Sequence, residues 1–536
     1  MKSWLVCCTL GVCTLVLLLS SPIIGQVAVT TYHNDNYRSG VNADETILTP
    51  SNVNEVTFGK RLVLPVTGYI FAQPLYVPNV NINGTLHNVV YAVTEHDQAY
   101  AFDVNSGQML WHKDFLVPTN PTKTILPLSG SDVDCLILGN EIGITGTPVI
   151  DLTTNQIYLV AATKEIVNNN TTFYQRMHVL DISTGVEKNL GPAFGAPITA
   201  KVPGTGAGSV GGYITFDPVM HIQRAALTLA NGLVYVAWAA FCDFDLDHGW
   251  VMAFNKNSLW PSGVFMDTPN GYLGGIWNSG SGLAVDSANN LYVVTGNGLF
   301  DVNVGGIDYG DTILRLSWTG NQPVVQDYFT PWDQGWLSSH DWDLGSGGAL
   351  LLPDQPGAPY PHLLVQAGKE GTIDLVNRDN MGHFNAGGDN QIVQTLPRIL
   401  SGSGIGTGFW GAPTMWNNNI YFGCPQSQLK AFSYNPQAQQ IQAQYTSATS
   451  EFFSYPGPTP SISSNGTSNG IAWIFESNSV LRAYDANNLA TELYNSNQNP
   501  GRDQAGAAVP FVIPTVADGM VFLGARNEVD VYGLLN

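Results

Sequence analysis

Residues 89–111, VVYAVTEHDQAYAFDVNSGQMLW, are broken twice by polar turn residues and alternate in polarity between the breaks. The pattern predicts a strand over 89–94, a tight polar turn, a second strand over 99–102, a turn over 103–107 and a short outer strand ending at Trp111. A further apolar stretch over 73–77 precedes it, so the unit reads as a four-stranded antiparallel meander.

The same grammar returns along the chain: TGTPVID, QIYLVAATKE and MHVLDISTG in 145–185, then LVYVAWAAFCDFD and WVMAFNKNSL in 224–259. SGLAVD, NLYVVTGNG and DTILRLS follow in 280–317, and GGALLL, HLLVQAGKEG and IDLVNRDNMG in 345–382. Three more units occupy 411–433, 458–489 and 511–532, which makes eight. One such sheet leaves unpaired edges and bare apolar faces, and radial packing of all eight around an axis buries them. Unrelated β-sandwiches share the turn chemistry, but not a strand order that stays in phase throughout. The expected fold is all-β, an eight-bladed β-propeller of four-stranded antiparallel blades. No linker or charge block divides the chain, so residues 26–536 are read as one propeller domain. Trp111, Trp250, Trp277, Trp410 and Trp473 read mainly as packing between blades.

Lys2, an apolar run from Trp4 to Leu19, then Ser20, Ser21, Pro22 and Gly25 have the layout of a secretory signal peptide over 1–25, and the run is too short for an anchor. Secretion to an oxidising, extracellular environment is therefore expected. Of six cysteines, Cys7, Cys8 and Cys13 leave with that segment. Cys135 and Cys242 lie in polar loop sequence and form the preferred bridge, whereas Cys424 follows an apolar strand and reads as a buried thiol. Asn83, Asn169, Asn170 and Asn465 begin sequons and are candidate N-glycan acceptors. The full chain carries 41 acidic and 20 basic residues, a formal net charge of −21. Nucleic acid is excluded as a partner, because phosphate binding requires a basic surface. The expected partner is a small molecule or extracellular polymer, with no membrane.

In an up-and-down blade the turn between strands two and three lies at the same end as the link to the next blade, so these loops converge on one mouth of the axis. Polar residues crowd them: Glu95, His96 and Asp97; Lys164 and Glu165; Asp243, Asp245, Asp247 and His248; Asn297, Asp301, Asp308 and Asp311; Lys369 and Glu370. The blade links add Asp341, Asp343 and Trp410. Glu95 and His96 offer a base with a neighbouring carboxylate, and Glu165, Glu370 and Asp308 are further catalytic candidates. The equivalently placed Lys164 and Lys369 suit an anionic ligand, although solvated turn charges read the same way. In CDFDLDH, residues 242–248, Asp243, Asp245 and Asp247 are candidate oxygen ligands for Ca²⁺ outside any EF-hand frame.

The stretch AYAFDVNSGQMLW resembles the repeat of pyrroloquinoline quinone (PQQ) enzymes, and MHVLDISTG and LRAYDANNL are partial copies. KEGTIDLVNRDNMG, 369–382, is similar to a stretch of the quinoprotein alcohol dehydrogenases. The chain looks closer still to secreted PQQ-repeat proteins, on Arg38, Gly40, ADETILTPSNV, EIGITGTPVID and GTSNG. The resemblance implies PQQ and Ca²⁺ as cofactors, with Lys164, Lys369 and Arg378 facing the quinone carboxylates, Trp410 beside it and a mouth carboxylate as base. Two family features are missing: the adjacent-cysteine disulfide, since Cys7 and Cys8 lie in the signal segment, and a C-x-x-C-H haem site. Three functions follow: an oxidoreductase on alcohols or sugars; a hydrolase or lyase cutting a polysaccharide or a polyester such as polymalate; or a binding scaffold without chemistry, as the superfamily's outer-membrane assembly lipoproteins are.

Overall fold

Strands Gln98–Asp103 and Leu291–Val294 are buried at every position, on both faces. A strand of that kind needs protein above and below its sheet, and the ring provides it. The computed structural model describes residues 26–535 apart from 119, 136–138, 192–194, 244–245 and 401–405. The signal segment and Asp245 lie outside the described residues.

Eight four-stranded antiparallel sheets form an eight-bladed propeller. Blade 1 runs Leu75–Ile82, Thr85–Thr94, Gln98–Asp103 and Met109–Asp114, inner strand to outer. Blades 2 to 7 have their innermost strands at Val149–Asp151, Thr228–Ala230, Ala284–Val285, Leu350–Leu351, Thr414–Trp416 and Ser461–Asn465. Blade 8 takes three strands from the end of the chain, Thr515–Ala517, Met520–Gly524 and Arg526–Leu534, and its outermost strand, Phe58–Tyr69, from the beginning. That strand pairs from Phe58 opposite Leu534 to Tyr69 opposite Arg526 and closes the ring. Seven large apolar clusters each span two consecutive blades, including one joining blade 8 to blade 1, and an eighth joins blade 7 to blade 8 and reaches on to residues of blades 2 and 3. The core is thus a circle of interfaces with no interrupted joint.

The N-terminal segment does something the repeats did not announce. Val29 pairs with Tyr76 of blade 1, and the carbonyl of Thr30 accepts from Ile150 N of blade 2. Asn36 donates its side-chain amide to Leu229 O of blade 3, and its own carbonyl accepts from Val285 N of blade 4. Tyr37, Ser39 and Gly40 then accept from Leu351, Met415 and Ile462 of blades 5, 6 and 7, and Asn42 donates to Val516 O of blade 8. Residues 29–42 therefore visit the innermost strands of all eight blades in order and plug the axis. Arg38 is the pin: fully buried at positive φ, it donates to Thr31, Tyr32 O, Thr228 and Leu283 O.

One placement differs from the sequence reading. Lys164 and Glu165 do not occupy a turn at the mouth, because Gln156–Val167 and Asn170–Asp181 continue past them as one long hairpin that turns at Asn168 and Asn169. Lys123–Pro127 pairs alongside, and Glu165 bridges Lys123 and Arg176 at 2.5 and 2.9 Å. Those pairings satisfy the extension, so blade 2 is not equivalent to blade 5 at this position. Asn83, Asn169, Asn170 and Asn465 are all exposed.

Candidate functional site

The residues just before the innermost strands converge above the plug. Arg224 precedes blade 3, Trp277 blade 4, Asp341 and Asp343 blade 5, Trp410 blade 6, Tyr455 blade 7 and Phe511 blade 8. Cys135 and Cys242 are joined by a disulfide with Cα atoms 5.9 Å apart, while Cys424 is a buried thiol. The bridge packs in one cluster with Phe71 and Trp277 and fixes the residue next to it, Asp243.

Three carboxylates meet here, with one oxygen each from Asp243, Asp341 and Asp343 all within 4.8 Å of one another. Lys369 Nζ lies 2.6 Å from Asp341 and 2.5 Å from Asp343. Asn297 donates its backbone N–H to Asp343 at 2.7 Å and its side-chain amide to Asp341 at 3.1 Å. Although Asp243 is exposed, the protein around its carboxyl and the charge of Asp343 push its pKa up to about 7. Desolvation, only partly offset by Lys369, raises Asp341 as well. Burial alone would lower the Lys369 ammonium, but Asp343 and Asp341 reverse this and hold it protonated. The set carries three acids against one base, which leaves room for a divalent cation to bring its charge to zero.

An aromatic wall joins this acidic end to a buried cation. Lys369 Nζ sits 4.9 Å from the Trp410 ring, Trp410 lies 5.2 Å from Tyr455, and Tyr455 lies 5.9 Å from Phe511. Phe511 then packs 4.9 Å from the guanidinium of Arg224, with Phe71 at 5.5 Å. Arg224 is 4% exposed and its Nη2 has no hydrogen-bond partner. Beneath it, the plug's Tyr32 presents a buried hydroxyl that also has none. Glu95 is buried on the other side, accepting from Gly143 N at 2.6 Å and Thr145 at 3.0 Å, and burial pushes its pKa up to about 7. Its Oε1 is unpartnered and no ion pair joins it to Arg224. A buried guanidinium with Nη2 unbonded is costly, and the rings of Phe71 and Phe511 and the nearby Glu95 are what offsets that cost.

Of the candidates named from sequence, Lys369, Trp410 and Asp243 come together here, and Glu95 lies near Arg224. The others are dispersed. His96 pairs with Glu141 at 2.9 Å in a cleft of about 260 Å³ that Glu95 also lines. Lys164 is held by Asp132 at 2.7 Å. Arg378 is buried at the edge of blade 5, bonded to Asp354 at 2.6 Å and Leu363 O at 3.1 Å. Asp308 accepts from Asn270 N at 2.9 Å, Glu370 pairs with Arg398 at 2.9 Å, and Asp247 is buried beside Asp267. Arg224, Tyr455 and Phe511 escaped the sequence reading, although each occupies the position before an innermost strand that marked Asp341 and Trp410.

No family model and no curated protein sequence matches the chain. Solved structures do. Quinohemoprotein alcohol dehydrogenase from Comamonas testosteroni aligns over 95% of this chain and 80% of its own, at 12% identity and a TM-score of 0.60. Quinohemoprotein alcohol dehydrogenase ADHIIG from Pseudomonas putida HK5 aligns over the same shares at 13% identity and a TM-score of 0.56. A europium-containing methanol dehydrogenase aligns over 95% of this chain and 98% of its own, at 11% identity and a TM-score of 0.54. The chain has the eight-bladed propeller fold of these quinoprotein dehydrogenases.

Proposed function

We propose that the protein is a secreted oxidoreductase that oxidises an alcohol or sugar hydroxyl with PQQ and a divalent cation bound above the plug. One observation carries this reading: a carboxylate triad with a single lysine and an unpartnered buried arginine lie at two ends of one aromatic wall. A flat, multiply carboxylated quinone chelating a cation needs such a combination, with acids for the metal, cations for its carboxylates and rings for its faces. The residues fit the group, since Arg224 Nη2 awaits an acceptor and the triad carries uncompensated charge.

Asp341, Asp343 and Asp243 would hold the cation, Arg224 and Lys369 the quinone carboxylates, and Trp410, Tyr455 and Phe511 its edge. PQQ, when bound, supplies a two-electron acceptor. The base would be a carboxylate that does not ligate the cation, and Glu95, pushed up to about 7 by burial and with Oε1 unpartnered, suits the removal of a substrate hydroxyl proton, because a base works best when its pKa lies near the working pH. The buried Asp343 orients Lys369.

The test adds PQQ and Ca²⁺ to purified protein and records the quinone absorbance together with alcohol-dependent dye reduction. Neither signal appearing overturns the reading. The raised carboxyl of Asp243 beside Asp343 also suits an acid–base pair for polymer cleavage. Release of soluble product from a polysaccharide or polymalate without cofactor would favour that second reading.

A further inference from the structure

Behind the Asp341 to Leu344 link, between the outer edge of blade 4 and blade 5, lies a cavity of about 400 Å³ that the proposed reaction does not use. Trp332, Trp342, Asp333, Glu370, Asp374 and Asp389 line it, with Arg398 at its edge. Glu370 takes the guanidinium of Arg398 at 3.0 and 2.9 Å, and that guanidinium stacks 5.2 Å from Trp342. Among the described residues, Asp333, Asp374 and Asp389 make no ion pair. Asp389 accepts the backbone N–H of Trp332 at 2.9 Å.

Asp374 is the telling residue. It sits within strand Ile373–Asn377 of blade 5, opposite Thr395, and is 3% exposed. Its Oδ1 has no hydrogen-bond partner. A lone carboxylate oxygen buried in a strand is expensive unless it is protonated or meets a positive group from outside. Desolvation and the charge of Asp389 hold Asp374 well above the ordinary carboxylate range, and desolvation with Glu370 pushes Asp333 up to about 6. Both shifts come chiefly from burial, which Arg398 offsets only in part at Asp333 and a hydrogen bond with Thr395 only in part at Asp374.

The shape of the site chooses the cation. Among the described residues only Asp243, Asp341 and Asp343 bring three carboxylate oxygens close enough for one metal ion, and none of them lines this cavity. Spread carboxylates suit a molecule with several N–H donors, and an indole face, here Trp332 at 52% exposure, attracts organic cations. We propose that this cavity binds a small organic ammonium ion, a primary amine or diamine, held by Asp374 and Asp389 and covered by Trp332.

Isothermal titration of the full chain with 1,4-diaminobutane at pH 7.5 tests this. Saturable binding that weakens at least tenfold in Asp374→Asn, a near-isosteric change whose fold is checked by circular dichroism, supports the site. If that variant does not fold, the same loss in Asp389→Asn supports it. No binding, undiminished binding in the folded variants, loss in Asp243→Asn instead, or binding of glucose where the diamine fails overturns it.

Discussion

Lys369 Nζ and Asp343 Oδ2 lie 2.5 Å apart with both side chains almost wholly buried. A buried charge pair of this kind is fragile to the loss of one partner, since the survivor remains in a poor solvent.

Substituting Lys369→Met should therefore destabilise the protein by about 3 kcal/mol or more, the usual consequence of orphaning a buried charge. Chemical denaturation measures it. Ca²⁺ should restore part of the loss, because the cation then faces Asp341 and Asp343 without competition. An unchanged midpoint would show that these carboxylates are protonated or solvated.

Removing the positive charge at Arg224 should leave the fold intact and weaken an anionic ligand. Arg224→Gln is expected to reduce PQQ affinity at least tenfold by absorbance titration, with little change in melting temperature, because Nη2 makes no hydrogen bond in the unliganded protein and Gln relieves the cost of a buried charge. Equal affinity in both proteins would place the quinone elsewhere.

Stability should be greater at pH 5 than at pH 8. Burial first, and neighbouring acids second, push Glu95 and Asp243 to about 7 and Asp333 to about 6, and raise Asp97 and Asp374 as well. The folded protein then holds protons that the unfolded chain releases near pH 4, so stability from these groups falls as pH rises from about 4 to 7. Two histidines act against this: burial lowers His33 and His221 to about 4, so their contribution is lost as pH falls from 6.5 toward 4. Asp151 and Glu187, held near 2 by Lys256 and His178 against the effect of burial, lose theirs below about pH 4. The carboxyls outnumber the histidines. A melting temperature at pH 8 that equals or exceeds the value at pH 5 would sink the balance.

Replacing Cys135 and Cys242 together by alanine opens a loop of 107 residues. Chain entropy sets the cost at up to about 5 kcal/mol. The more specific expectation concerns Asp243, which follows the bridge directly: Ca²⁺ affinity should fall in the double variant even where the protein remains folded, as calorimetry can show.

The eight blades were legible because each repeat states its strands and turns locally, within a few dozen residues. The plug was not, since residues 29–42 have no period and gain their order from single hydrogen bonds to eight different sheets. Strand Phe58–Tyr69 alternates as a strand should, yet nothing near it in sequence names its partner. At the site, Lys369, Trp410 and the aspartates were readable from their place in the repeat. Arg224 was passed over as the start of an apolar strand, and its meaning appears only when Phe71 and Phe511, remote in sequence, close around it. Lys164 and Glu165 misled because a longer hairpin moved them out of register with Lys369 and Glu370.

The closing strand of blade 8 sets a timetable for biosynthesis. Phe58–Tyr69 is made hundreds of residues ahead of its partner Arg526–Leu534, so a growing chain carries one open sheet edge throughout the synthesis of everything between them. A chain cut short anywhere before blade 8 keeps that edge permanently, and the edge is then available to a neighbouring molecule. Truncated products of this protein should accordingly be found as aggregates and not as smaller soluble rings.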